Sequence, residues 1–476
     1  MDPLWILFLG MAVVVGAILG LRLHAFLALL AGALVVATLT SGSALEKHAR
    51  SKDAPDAEVA RLVSQSPAER VARELGRTVG SIGILIAMAA IIGKCLLESG
   101  AAERIVRSAL KLVGPKHAPL AFMGSGFTLG VPVYFDTVFY LMIPLGKAMA
   151  LRDRGRYGLI VMGIIAATTM AHSLVPPTPG PLLVASRLDV NLGHMMLGGI
   201  VLGVLTCFFG YFYALWSNRR WPVPLRDSVE MPLADLEDQS RRRDVELPPL
   251  GFSLLPIALP VLLIAGNSIL ETTVGSPPQG WLRSVTLLFS ALGDKNIALI
   301  LGAAIALILL AWQKRSSRSD LAVAVQTALA GAGVIILITS AGGAFGGVLQ
   351  QTGIATRIQD LAAAYQIAAL PLAFFVTALV RTAQGSATVA MITAVGILGG
   401  MGDPAQLGFH PLYLALAIGC GSKPFPWMND SGFWIISRMS GMTETETLRN
   451  FSVMISLMGL AGLVILMIAA RLLPLV

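Results

Sequence analysis

The chain has 476 residues, of which 55% are hydrophobic and 13% are charged, and its formal net charge is +8. Soluble proteins carry about 25% charged residues, so the composition excludes a soluble globular protein and predicts a polytopic membrane protein. The positive charge does not indicate nucleic-acid binding, because excess lysine and arginine in a membrane protein collects in its cytoplasmic loops.

The first half of the chain contains five predicted spanning helices. Each is an apolar segment close to the roughly 20 residues that cross a bilayer. In order they are residues 4–20, 24–40, 79–98, 157–187 and 193–216. A polar insertion at 41–78 separates the second from the third, and its composition fits either an amphipathic surface helix or a solvated loop.

Residues 118–150 are apolar but are interrupted by Gly-Val-Pro-Val-Tyr-Phe-Asp at 130–136. Each arm is shorter than one crossing, which predicts a re-entrant hairpin whose tip lies inside the membrane. Gly130 and Pro132 are the residues expected to shape this tip.

The span at 157–187 contains His-Ser-Leu-Val-Pro-Pro-Thr-Pro-Gly-Pro at 172–181. Proline lacks the helical N–H and clashes with the preceding turn, so the stretch predicts a helix that breaks inside the bilayer. Broken helices of this kind form substrate sites in transporters. The residues expected to shape the break are Pro176, Pro177, Pro179 and Gly180. The alternative is a proline-rich loop at the membrane surface.

A charged segment at 217–250 predicts a solvated cytoplasmic linker, after which the second half repeats the plan. Its predicted spans are 252–272, 296–312, 321–349, 410–438 and 451–473. A second hairpin is predicted at 367–400 with Gly385 at its tip, and the fourth span is broken near Gly432.

The two halves also share individual residues. Gly80, Gly93, Gly100, Arg104 and Ile105 recur 253 residues later as Gly333, Gly346, Gly353, Arg357 and Ile358. An odd number of crossings per half makes the second copy enter from the opposite side, as in inverted-repeat transporters. The sequence therefore predicts an all-α fold of two inverted membrane repeats, 1–216 and 251–476, with ten spanning helices and two hairpins.

Basic residues concentrate in the loops on the linker's side of the membrane. By the positive-inside rule this side is cytoplasmic. Both termini are therefore expected outside, with the first hairpin entering from the cytoplasm and the second from the other face.

The four interruptions carry hydroxyl and amide side chains that suit a hydroxylated anion, and half-helix N-termini add free N–H groups. Arg381 is the strongest indication, because an arginine inside an apolar stretch is costly and is usually functional. Its fork can bind a carboxylate with two hydrogen bonds. The predicted substrate-binding residues are Arg381, Thr382, Gln384, Ser386, Thr388, Ser173, Thr178 and Asn429.

Alternatives remain open for the charged residues. Arg381 could instead form a structural ion pair with Asp430 or Asp136, and Lys423 is either a second anion partner or a side chain that snorkels to the interface. His172, Asp136 and Asp430 are the predicted proton carriers, since histidine titrates near neutral pH. Their alternatives are a buried core histidine and two helix caps.

The sequence contains no catalytic triad, metal cluster or phosphate loop, so neither an enzyme nor a cofactor is predicted. The three cysteines, Cys95, Cys207 and Cys420, fall in apolar segments without metal-ligand spacing.

Four motifs together resemble the signatures of the gluconate permease family. They are Gly-Val-Pro-Val-Tyr-Phe-Asp (130–136), His-Ser-Leu-Val-Pro-Pro-Thr-Pro-Gly-Pro (172–181), Arg-Thr-Ala-Gln-Gly-Ser-Ala-Thr-Val-Ala (381–390) and Asn-Asp-Ser-Gly-Phe-Trp (429–434). The resemblance runs from about residue 4 to the C-terminus, outside the insertion and the linker. It implies a proton-coupled symporter of gluconate or a related aldonate in a bacterial inner membrane, with paired hairpins and broken helices.

Two positions depart from the family pattern. Thr178 stands where the proline-rich motif usually has histidine, and Pro426-Trp427 stand where the second break usually has Ser-His. The resemblance therefore leaves gluconate, glycerate and other hydroxy acids open as substrates.

The favoured function is a secondary symporter of organic anions, whose partners are the anion, the proton and the bilayer, with a homodimer left open. A proton or sodium exchanger is the alternative, but it would need neither Arg381 nor the hydroxyl-rich tips. A membrane-embedded enzyme ranks third.

Overall fold

The computed structural model describes residues 2–21, 23–50, 55–151, 154–226, 246–273, 281–315, 317–354, 356–357, 368–402, 407–427 and 430–475. In these ranges the regular elements are helices and no strand occurs. The predicted all-α membrane fold is confirmed. Most of the predicted linker, 227–245, lies outside the described residues.

The first half of the chain contains eleven helices within the described residues, and the predicted apolar segments occur among them in the predicted order. The helices are α1 (Pro3–Leu19), α2 (Ala25–Leu39), α3 (Gly42–Arg50), α4 (Asp56–Ser64), α5 (Pro67–Glu98), α6 (Ala101–Val113), α7 (Ala118–Gly130), α8 (Phe135–Ala150), α9 (Tyr157–Leu174), α10 (Pro179–Arg187) and α11 (Leu192–Arg220).

The second half of the chain contains ten helices within the described residues. They are α12 (Leu250–Thr273), α13 (Trp281–Leu292), α14 (Lys295–Lys314), α15 (Arg318–Gln350), α16 (Ala369–Gln384), α17 (Ala387–Leu398), α18 (Pro411–Gly421), α19 (Ser431–Ser440), α20 (Glu444–Thr447) and α21 (Val453–Leu472). A π-helical turn, Leu448–Ser452, joins α20 to α21 without a break.

Within the described ranges, seven helical segments are long and apolar enough to cross a membrane. They are α5, the α9–α10 pair, α11, α12, α14, α15 and the continuous α20–α21 segment. The other three predicted crossings correspond to α1 with 17 residues, α2 with 15 residues and the broken pair α18–α19. The total of ten crossings and the inversion of the repeats stay predictions.

Both predicted hairpins contain two short helices separated by a turn. Helix α7 has 13 residues, which at 1.5 Å per residue reach about 20 Å, short of the roughly 30 Å hydrocarbon core. It ends at Gly130, and α8 begins after Tyr134, whose backbone is extended. In the second hairpin the turn lies at Gly385, which has φ of 77° and ends α16 in the left-handed conformation that favours glycine.

The break at the proline-rich motif follows from backbone chemistry. Helix α9 ends at Leu174, and Val175, which precedes a proline, is extended with φ −113° and ψ 117°. Helix α10 then begins at Pro179, where the missing N–H costs nothing. The chain is buried throughout this break, so the alternative of a surface loop is wrong.

The polar insertion is more helical than expected. It contains α3 and α4, and α5 begins at Pro67 rather than at residue 79. A capping box starts α5 there, since the Ser66 side chain accepts from Glu69 N and the Glu69 side chain accepts from Ser66 N. The amphipathic helices α6 and α13 were not predicted because they are too short and too polar to read as spans.

Several contacts join loops that the charge pattern assigns to one side of the membrane. On the predicted cytoplasmic side, Arg226 Nη1 lies 2.6 Å from Glu446 Oε2, and Gln313 Nε2 donates to Glu246 O at 2.7 Å. On the opposite side, Arg357 Nε lies 3.3 Å from Asp2 Oδ2. These contacts agree with the predicted threading of the chain.

Helix α15 packs between α5 and α17 through glycines. A Cβ added at Gly343 would lie 2.3 Å from Thr78 Oγ1 of α5, and one at Gly346 would lie 2.6 Å from Gly396 Cα of α17. Small residues let membrane helices approach this closely. Helix α15 thereby holds the second hairpin against the rest of the bundle.

Arg70 ties the end of α2 to α5 and to the turn after α15. Its Nη2 donates to Ala37 O at 2.6 Å, and its Nη1 donates to Gln351 Oε1 at 3.2 Å. Arg70→Met is expected to lower the free energy of unfolding by about 1–3 kcal/mol, because it leaves buried acceptors unpaired. Thermal unfolding in detergent measures this.

The matched control for that prediction is Arg73→Met on the same helix. The Arg73 side chain is 45% exposed and lies 3.5 Å from Glu58 Oε1, and such surface pairs contribute little. We expect a change within about 0.5 kcal/mol. Equal losses in the two variants would contradict the structural role of Arg70.

Candidate functional site

A cavity of about 410 Å³ lies where the four helix interruptions meet. Its wall includes residues from both hairpins and both broken helices. The polar lining residues are Tyr134, Asp136, Thr169, His172, Ser173, Thr339, Arg381, Ser386, Thr388, Ser422, Lys423 and Asp430. The remaining wall is largely aliphatic and aromatic.

Both hairpin tips reach this cavity. Asp136 lies in the first turn of α8, and Ser386 is the N-cap of α17, with its Oγ accepting from Val389 N at 3.3 Å. Both residues line the same cavity although 250 residues separate them. The expected convergence of the tips is confirmed, and their roles stay predictions.

Arg381 is buried, with 3% of its surface exposed, and it forms an ion pair with Asp430. Its Nη2 donates to Asp430 Oδ2, while Asp430 Oδ1 accepts from Gly432 N at 2.7 Å. Asp430 therefore caps α19 and neutralises Arg381 at once. Both structural alternatives considered for these residues occur together in the folded chain.

The ion pair leaves part of the Arg381 fork unused. Its Nε and Nη1 atoms are buried and have no hydrogen-bond partner among the described residues. Buried donors without partners are rare in folded proteins and call for an explanation. Arg381 is also one of the residues that line the cavity.

Lys423 lies in the second break and is 3% exposed. Its Nζ donates to Thr169 O at 2.6 Å and to Ser173 Oγ at 2.5 Å, both on α9. The alternative that Lys423 snorkels to the interface is wrong, because these bonds hold its amino group at the cavity wall. A lysine inside an apolar region is costly, so its presence in the sequence already indicates a functional residue.

His172 stands at the end of α9 and lines the cavity as predicted. Its Nε2 lies 3.5 Å from Thr388 Oγ1 of the second hairpin, and its Nδ1 is buried with no partner in the described part of the chain. The Tyr134 ring meets the imidazole edge to face at 6.2 Å. The histidine thus contacts both hairpins.

Two predicted substrate ligands do not line the cavity. Thr178 Oγ1 donates to Val175 O at 2.7 Å, and Thr382 Oγ1 donates to Ala378 O at 2.9 Å. Their hydroxyls satisfy local backbone carbonyls instead of facing the site. Asn429 and the side chain of Gln384 lie outside the described residues.

The glycines and prolines expected to shape the interruptions lie in tightly packed or buried positions. A Cβ at Gly130 would lie 3.1 Å from Ala171 Cβ, and one at Gly180 would lie 2.8 Å from Met391 Sδ. Pro132, Pro176 and Pro177 are buried in the irregular segments. Pro179 and Gly432 also line the cavity. The glycines let the broken helices and the hairpins pack closely.

Several lining residues escaped the sequence reading. Thr169 is three residues before His172, a spacing that places both on one helical face. The sequence spacing could therefore have predicted that Thr169 lines the cavity with His172. No sequence pattern indicates that Thr339 of α15 lines the cavity, since it lies within a long apolar run. Its hydroxyl is buried and without a partner in the described ranges, and it offers the cavity one more polar group.

Known proteins match this chain over most of its length. The model of the GntP family permeases matches residues 60–472. An uncharacterized permease of Haemophilus influenzae is 33% identical over 452 residues, covering 93% of this chain and 87% of the relative. A gluconate permease of Pseudomonas aeruginosa is 30% identical over 417 residues, covering 86% of this chain and 89% of the relative.

Solved structures agree at the level of fold. The YdaH transporter of Alcanivorax borkumensis aligns with a TM-score of 0.55 at 16% identity, covering 84% of this chain and 88% of that chain. A shared transporter fold, broken helices around one polar cavity and the family match lead to one assignment. The chain belongs to the GntP permease family and is a multi-pass transporter of the inner membrane, not an enzyme.

Proposed function

We propose that the protein is a secondary active symporter that carries gluconate, or a related sugar acid or hydroxy acid, together with protons. The observation that carries this proposal is the unused part of the Arg381 fork. Its Nε and Nη1 donors have no partner among the described residues, and Arg381 lines a cavity of about 410 Å³, a volume within the roughly 300–1,000 Å³ of small-molecule sites. A substrate carboxylate would satisfy them.

Hydroxyl groups around Arg381 support a polyhydroxylated substrate. Ser386 and Thr388 lie on one hairpin, and Ser173 and Thr339 lie on neighbouring helices. Each hydroxyl donates and accepts, so the set suits the hydroxyls of an aldonate. Relatives from Pseudomonas aeruginosa and Zymomonas mobilis are named gluconate permeases, which supports the same substrate class.

Proton coupling belongs to this proposal, with His172, Asp136 and Asp430 as its predicted carriers. Asp430 is occupied by its ion pair and its cap, and Asp136 is exposed. His172 therefore remains the best placed of the three. The two inverted repeats, 1–216 and 251–476, and the homodimer are part of the proposal, and the repeated order of long helix, hairpin and broken helix supports the repeats.

Uptake into proteoliposomes tests the proposal. With the inside alkaline, radiolabelled gluconate is expected to accumulate above its external concentration, whereas glucose, which lacks the carboxylate, is expected not to. Inhibition of gluconate uptake by excess glycerate measures how strongly binding depends on the length of the hydroxy acid. Uptake that requires sodium and ignores a protonophore would reject proton coupling, and failure of every sugar acid to bind or move would reject the substrate class.

A further inference from the structure

We propose that Lys423 carries the coupling proton, so that one proton enters with one monocarboxylate. This inference rests on the proposed function, because it assigns the coupling step of that symporter to a residue outside the predicted set. The geometry that carries it is a buried lysine amino group at the cavity wall, beside an Arg381–Asp430 ion pair whose charges already cancel.

The net charge of the empty site depends on Lys423. Arg381 and Asp430 neutralise each other, and no described carboxylate forms an ion pair with Lys423. A buried charge without a counter-charge is costly, so the ammonium of Lys423 is best stabilised when an anion occupies the cavity. A bound monocarboxylate supplies that charge and makes the loaded site neutral.

Titratable and charged groups on the elements packed around Lys423 face its side chain. They are His172 on α9, Cys207 on α11, Arg381 on α16, Cys420 on α18 and Asp430 in the second break. Asp136 on α8 lines the same cavity. Helix α21 contributes Gly459, which packs against the Lys423 side chain and carries no charge. His172 is the remaining competitor for the proton, since Asp430 is paired with Arg381 and Asp136 is exposed rather than buried.

The proton balance is simple. Neutral Lys423 takes one proton from water on the loading side as the substrate carboxylate enters, giving an ammonium and a carboxylate in one cavity. The Nζ hydrogen bonds to Thr169 O and Ser173 Oγ hold it in place. On the other side the carboxylate leaves, the ammonium loses its partner, and the same proton returns to water.

Wild-type protein in proteoliposomes, with radiolabelled gluconate as the probe, gives the first measurement. One proton per monoanion predicts about tenfold accumulation for each unit of pH gradient. No net charge moves, so a potential of about 59 mV, the one-charge equivalent of tenfold, should leave the ratio unchanged. A tenfold response to that potential would overturn the single-proton assignment.

Two variants test the residue itself. Lys423→Arg keeps the positive charge but cannot release its proton, so it should still exchange gluconate across the membrane and should lose accumulation driven by the pH gradient. Lys423→Met removes the charge and should lose accumulation as well as weaken gluconate binding about tenfold or more. Lys94→Arg is the matched control, because Lys94 pairs with Glu98 at 2.9 Å on α5, away from the cavity.

The outcomes separate the two proposals. Accumulation driven by the pH gradient that persists in either Lys423 variant overturns the inference. The inference is also overturned if His172→Gln loses this accumulation while Lys423→Arg retains it. Retained binding of gluconate by Lys423→Arg, with wild-type thermal unfolding, supports it. Wild-type protein that neither binds nor moves gluconate rejects the proposed function and the inference with it.

Discussion

Replacing Arg381 by lysine is expected to weaken gluconate binding about 100-fold while the protein still folds. Lysine keeps a charge for Asp430 but lacks the planar fork. The substitution removes the Nε and Nη1 donors, which are buried and have no partner among the described residues and which we propose bind the carboxylate. Charge-assisted hydrogen bonds contribute about 1.5–3 kcal/mol each, so losing two costs about 3 kcal/mol or more, which is about 100-fold.

Binding to purified protein in detergent measures this, and thermal unfolding checks that the ion pair with Asp430 is retained. Arg438→Lys is the control, because Arg438 is an exposed arginine on α19 next to the Trp434 ring. We expect the control to bind as wild type does. Wild-type affinity in Arg381→Lys would rule out a role for Arg381 in binding the carboxylate and would remove the main support for the proposed substrate class.

The course of the chain through the membrane could be predicted because its signals are local. Prolines at 176, 177, 179 and 181 can form no continuous helix, and the structure breaks α9 from α10 there. The length of each apolar segment is likewise a local feature that predicts a span, and the glycine and proline residues of the hairpins are local features that predict a turn. The start of α5 was missed because the span was placed by hydropathy alone, although Ser66 and Glu69 form a capping box in the sequence.

The site was harder to predict, because it depends on the direction of each side chain. Thr178 and Thr382 lie in the correct segments, yet their hydroxyls turn back to local carbonyls. Whether Arg381 pairs with Asp430 or with Asp136 depends on how a hairpin meets a broken helix, and sequence spacing does not contain that information. Thr339 reaches the cavity only because α15 packs against the second hairpin.

That packing leads to the prediction with the largest expected effect on stability. Gly346→Ala is expected to lower the free energy of unfolding by about 2–3 kcal/mol, the upper range for overpacking. The new Cβ would lie 2.6 Å from Gly396 Cα, a backbone atom that has no side-chain torsion through which to move away. Helix α15 would be displaced from α17, whose N-cap is Ser386 and whose first turn contains Thr388, so gluconate binding should weaken as well.

Gly333→Ala on the same helix separates this clash from helix propensity. Nothing lies within 4 Å of a Cβ at Gly333, and alanine favours a helix over glycine by about 1 kcal/mol. Gly333→Ala should therefore unfold at the wild-type temperature or slightly above it, while Gly346→Ala unfolds lower although it gains the same propensity. Gly396→Ala, whose Cβ would lie 2.7 Å from Gly346 Cα, should repeat the loss from the other side. If both alanines at this contact melt as wild type does, the two helices are not in direct backbone contact, and α15 does not set the position of the second hairpin.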